Sequence, residues 1–140
     1  MIDPGNSQIV QTSVRKLFPF AVIFSIYVFS YGANLPGGGF QAGVVFGTIV
    51  VVFELSFGRR IGSHAAYQII EFVGIVILVG CMIWGYLDSG YFFGGLYRHT
   101  TETLLFSSVY YWFLNLAIYL EVLASMVLIF RGFIEWRDDR

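Results

Sequence analysis

The sequence predicts an all-α integral membrane protein with four transmembrane helices and both termini cytoplasmic. Three observations carry this. The 140 residues are 57% hydrophobic and only 12% charged, whereas soluble domains carry about 25% charged residues. Four apolar segments approach or exceed the ~20 residues needed to cross a bilayer core. The basic residues also segregate to alternate loops, as they do in proteins inserted with positive charge inside.

The first span is expected at roughly 14–32 and the second at roughly 38–57, separated by the turn "NLPGGGF". The third lies at roughly 66–87, and the fourth, the longest, at roughly 104–131. Little sequence is left over, so 1–140 reads as a single membrane domain with no soluble appendage. The polar N-terminus lacks the order of charge, apolar core and cleavage site of a signal peptide. Arg15, Lys16, Arg59, Arg60, Arg131, Arg137 and Arg140 fall on the side of the termini and the middle loop, and Arg98 on the other. That asymmetry makes the first side cytoplasmic, and the expected location is the cell membrane, as a multi-pass protein. Trp84, Trp112 and Trp136 suit interfacial anchoring.

A net charge of −1 gives no basis for a nucleic-acid partner. The single cysteine, Cys81, excludes an internal disulfide and a cysteine metal cluster, and reads as a small buried side chain. His64 and His99 fall on opposite sides and do not share a metal; both read as surface residues. Nucleotide-binding, nucleophile-elbow, haem and iron–sulfur motifs are absent from the sequence.

Ionisable groups inside a bilayer are costly, so each raises a functional question. Glu54, Glu71 and Glu121 lie within spans, with Asn115 and Gln41 as the notable amides. Each glutamate sits on a small-residue stripe at helical spacing. Glu54 follows Gly43, Gly47 and Val50; Glu71 aligns with Gly74, Leu78, Cys81 and Gly85; Glu121 aligns with Leu114, Ala117, Ala124, Ser125 and Leu128. Gly43 and Gly47 form a G-x-x-x-G pair suited to close helix approach. The carboxyls therefore point into helix contacts. Glu54 is expected to reach Arg59 or Arg60, or the interface, and Glu71 to lie near enough to the surface to be wetted. Glu121 precedes Arg131 by ten residues, about 15 Å along a helix and near mid-membrane. It is either hydrogen-bonded in a packed interface or part of a proton or cation route.

"NLPGGGF" itself reads as a tight turn leading into a packing face, its free helix-start N–H groups available to an anion or a carbonyl. The wider stretch "YGANLPGGGFQAGVV" (31–45) resembles the hallmark of the MnhB/MrpB family, G-H-N-x-P-G-G-G-F-x-x-G. These are the small B-type members of multisubunit Mrp-type sodium/proton antiporters. Gly32, Asn34, Pro36, Gly37, Gly38, Gly39, Phe40 and Gly43 match; Ala33 replaces the family's histidine, so no ion role of that histidine carries over. Similar subunits occur in archaeal membrane-bound hydrogenase and sulfane-sulfur reductase complexes. The resemblance implies a non-catalytic membrane subunit of a Na+/H+ antiport module that helps form the ion path, with Glu121, Glu71 and Glu54 as candidate contacts. The alternative is a structural subunit that seals and spaces a respiratory membrane complex. The implied partners are the lipid bilayer and Mrp-like subunits of the A (C-terminal part), C, F and G types, with hydrogenase or sulfur reductase subunits in related machines. No cofactor or resident metal is implied; Na+ and H+ enter as transported ions.

Overall fold

The computed structural model describes residues 7–31, 37–93 and 104–138, with side chains from 109 to 137 in the last stretch. Four helices occupy nearly all of it: α1 (Gln8–Tyr31), α2 (Gly39–Phe57), α3 (His64–Ser89) and α4 (Leu104–Asp138). All four are long and apolar enough to cross a membrane. The chain is thus an all-α, multi-pass membrane protein.

The helix ends follow local chemistry. Gly58 closes α2 in the left-handed conformation at φ 59°, which glycine adopts without steric penalty. Ser63 opens α3, its Oγ accepting the Ala66 N–H at 3.1 Å, a bond that satisfies one orphan donor of the first turn. Two helices outrun the sequence expectation. α1 begins at Gln8 rather than near 14 because its polar first turns are tied to α2: Gln11 Nε2 donates to Ser56 O at 3.1 Å. α4 continues to Asp138 rather than ending at 131. Its 35 residues span about 52 Å, well beyond a ~30 Å hydrocarbon core.

α4 is the spine. α2 packs along one side of it and α3 along the other, while α1 lies on the outer side of α2 and touches α4 only slightly. The densest packing gathers Val50 and Val51 of α2, Tyr67 of α3, and Leu123, Ala124 and Val127 of α4. The start of α1, the end of α2, the start of α3 and the end of α4 meet at one end of the bundle, through Gln11–Ser56, Glu54–Arg131 and Arg60–Glu135. This is the arginine-rich end. The outer faces of α1 and α3 remain apolar and exposed, as at Phe20, Ile23, Phe72 and Leu87. Such faces need lipid or neighbouring membrane subunits.

The glycine-rich turn has a steric cause. Gly38 stands at φ 116°, ψ −178°, closed to residues with a Cβ. A Cβ on Gly39 would lie 2.0 Å from the Asn115 carbonyl oxygen. One turn on, a Cβ at Gly43 would meet Tyr119 O and Val122 Cβ at 2.9 Å, and at Gly47 Met126 Cβ at 2.8 Å. α2 therefore rests on α4 with three glycines in line, backbone against backbone. Such close approach maximises dispersion contact where no hydrophobic force drives helices together. The start of α2 lacks a capping side chain of its own; Asn115 Oδ1, from α4, faces the Gly39 N–H at a long 3.4 Å. Of the motif residues, Gly32, Asn34 and Pro36 lie outside the described residues, as do Ala33, Arg98, His99, Glu102 and Arg140. Phe40 is exposed, its ring outside the seam that the glycines form.

Candidate functional site

The three span glutamates all touch α4, but they form two sites rather than one. Glu71 and Glu121 share the seam between α3 and α4. Glu54 sits apart, between α2 and α4 at the arginine-rich end.

The Glu54 site is closed. Arg131 Nε donates to Glu54 Oε2 at 3.1 Å, and Arg131 Nη2 bonds the other carboxylate oxygen. Nη2 also reaches Ile61 O at 2.9 Å and Gly62 O at 3.2 Å, in the loop between α2 and α3. Glu54 Oε1 in turn accepts the Ile61 N–H at 2.8 Å. The guanidinium lies over the Tyr67 ring, 4.7 Å from its centroid, a cation–π contact that strengthens once water is excluded. Arg131 is only 1% exposed. Its Nη1 has no acceptor among the described residues. The sequence offered Glu54 a partner in Arg59 or Arg60, or the interface; its partner is Arg131 instead. Arg59 is exposed, Arg60 pairs with Glu135 on the surface at 2.9 Å, and Arg131 is the buried counter-charge. The chemistry of this site is cohesive: one ion pair joins α2, the loop, α3 and α4.

The second site is half-open. Gly74 lets α3 approach so closely that a Cβ there would lie 2.9 Å from Glu121 Cγ and 3.1 Å from Ala117 O. One turn toward the arginine-rich end, Ser125 Oγ donates to Glu71 Oε1 at 3.0 Å. The same stretch of seam therefore carries two carboxyls and a hydroxyl. Glu121 is the central residue of α4. It is half-buried and has no hydrogen-bond donor or cation among the described residues. Two acids lie in one apolar seam, neither paired with a cation among the described residues; carboxylate oxygens so placed have the chemistry to take up a proton or a hard cation.

Two further buried hydroxyls tie helices together. Tyr110 OH donates to Cys81 O at 3.0 Å, closing the far end of the α3–α4 seam. Ser25 Oγ donates to Ala42 O at 2.9 Å between α1 and α2. Cys81 is free and buried, and Gln41 is exposed. Among the described residues, no group of three or more His, Cys, Asp or Glu side chains is placed to hold a metal ion.

Residues 9–128 match the family described as "Domain related to MnhB subunit of Na+/H+ antiporter". The chain is 35% identical over 55 residues to the B-type Na(+)/H(+) antiporter subunit of Bacillus subtilis, covering 39% of this chain and 38% of that protein's length. It is 29% identical over 98 residues to the putative antiporter subunit mnhB2 of Staphylococcus epidermidis, covering 69% of this chain and 68% of the relative. No solved structure matches the chain. With the family match running through all four helices and all three span glutamates, the chain belongs to the MnhB family of Na+/H+ antiporter subunits.

Proposed function

We propose that this chain is a non-catalytic subunit of a multisubunit Na+/H+ antiporter and that the α3–α4 seam contributes to its cation path. The observation that carries the reading is the grouping of Glu71, Ser125 and Glu121 at mid-bundle. A proton and Na+ compete for the same carboxylate oxygens, and that competition is the elementary basis of exchange. Glu121, half-buried at the centre of the longest helix, is the point where the seam opens to a neighbouring subunit. Glu71, held by Ser125, is the second station toward the arginine-rich end. The positive-inside asymmetry makes that end cytoplasmic.

Glu54 takes a different role here. Its charge is committed to Arg131, so it holds the helices at the cytoplasmic end rather than passing ions. The partners that suit the exposed flank of α3 are other Mrp-type subunits, of the C, F and G types and the C-terminal part of the A type. In a hydrogenase or sulfur reductase, the same module would sit beside redox chains.

The test is transport in the assembled complex. Glu121→Gln and Glu71→Gln are each expected to lower Na+-driven proton movement in inverted membrane vesicles by tenfold or more, with complex yield unchanged. Wild-type exchange in a fully assembled Glu121→Gln complex would remove this residue from the path. The seam would then be a structural contact.

A further inference from the structure

We propose that the cleft between the start of α1 and the end of α2 binds the headgroup of an anionic phospholipid. Two adjoining hollows of about 250 and 360 Å³ lie there. Gln8, Gln11, Thr12, Arg15 and Lys16 line one side, and Phe57 forms the floor. Arg59 and Phe53 complete it from α2 and the loop beyond.

Three observations select this ligand. First, the cleft gathers three cations, and no carboxylate pairs with Arg15, Lys16 or Arg59 among the described residues. Arg60 and Arg131, at the same end of the bundle, each have a carboxylate partner. Arg15 instead rests over the Phe57 ring, 5.6 Å from its centroid, which fixes the guanidinium without neutralising it. Second, no acidic residue lines the cleft among the described residues; the Thr12 hydroxyl and the Gln8 amide add neutral donors suited to phosphate oxygens. Third, the α1 face that carries Lys16 continues one and two turns on with Phe20, 70% exposed, and Ile23, 66% exposed. A phosphate at the cations thus has acyl chains laid along Phe20 and Ile23. A free phosphate ion makes no use of that apolar track, so the lipid is the better fit. Basic clefts between membrane helices at the cytoplasmic side are a recognised geometry for anionic headgroups.

The experiment uses the detergent-extracted native complex in nanodiscs of phosphatidylcholine doped with photoreactive phosphatidylglycerol, with adducts mapped by peptide. Labelling of segments 8–20 and 53–59 is expected to exceed that by photoreactive phosphatidylcholine about tenfold. Arg15→Gln/Lys16→Gln/Arg59→Gln should bring it down to the phosphatidylcholine level. Arg59→Gln alone, in an exposed loop where folding is not at risk, should reduce it about fivefold, the worth of one interfacial cation. Arg60→Gln, at the same end but outside the cleft, should leave it unchanged. Equal labelling by the two lipids would overturn the proposal, as would loss of labelling in excess inorganic phosphate, which would make this a small-anion site. Labelling of the isolated chain but not of the complex would also overturn it, because a partner subunit would then cover the cleft.

Discussion

Replacing Arg131 by methionine should destabilise the folded chain by about 3–5 kcal/mol, the usual consequence of leaving one partner of a buried ion pair alone. The structure explains why the effect should be at the high end. The substitution removes both bonds to Glu54, the donors to Ile61 O and Gly62 O, and the cation over Tyr67. It leaves a buried carboxylate supported only by the Ile61 N–H. At about 1.4 kcal/mol per tenfold, the folding constant should fall by roughly two to three and a half orders of magnitude, with the upper figure expected. Glu54→Gln should be of similar size, because it strands the guanidinium. The double variant Glu54→Gln/Arg131→Met should recover to within ~2 kcal/mol of wild type. Glutamine still offers a carbonyl to Ile61, and no unpaired charge remains. The assay is reversible unfolding in mixed micelles with increasing sodium dodecyl sulfate, followed by circular dichroism, as a double-mutant cycle. Additive single effects, or an Arg131→Met variant within ~1 kcal/mol of wild type, would refute the coupled-clamp account.

Further variants probe the helix contacts and the surface. Gly39→Ala should abolish or sharply reduce folded protein, since its Cβ would lie 2.0 Å from the Asn115 carbonyl oxygen and α2 must move as a body; near-normal yield of monodisperse protein would contradict the close α2–α4 contact. Gly43→Leu and Gly47→Leu should behave alike, each by more than the ~1–3 kcal/mol typical of overpacking, read by the same unfolding assay. Tyr110→Phe removes one buried bond to Cys81 O and should reduce stability by about 1 kcal/mol, whereas Glu135→Gln, at an exposed pair with Arg60, should change it by less than ~1 kcal/mol.

The four helices were legible because apolar runs of membrane-spanning length have few other uses. The stripes were legible because 3.6-residue spacing is local: Gly43, Gly47, Val50 and Glu54 are all buried against α4, and Gly74, Cys81 and Gly85 against their own neighbours. What was not legible was pairing between helices. Arg131 lies 77 residues from Glu54, and an arginine after a long apolar run looks like the end of a span. The overlooked signal was the sequence that follows it: Phe133 and Ile134 continue the apolar spacing beyond the charge, as they do when a helix runs on. Asn115 stood out as an amide in an apolar span, but its place opposite the start of α2 depends on how α2 and α4 align. Ser125 was on the Glu121 stripe; only the antiparallel α3–α4 register shows that its hydroxyl serves Glu71. The grouping of Glu71 with Glu121, and the separation of Glu54 from both, are products of the same register.

As one subunit of a Na+/H+ antiport complex, this chain should leave its membrane together with its partners. The most direct measurement is gentle extraction of the tagged chain from its native membrane, with identification of everything that accompanies it. A stoichiometric assembly containing A-, C-, F- and G-type antiporter subunits is expected. A lone chain or a simple homodimer, extracted under conditions that preserve other membrane complexes, would contradict it.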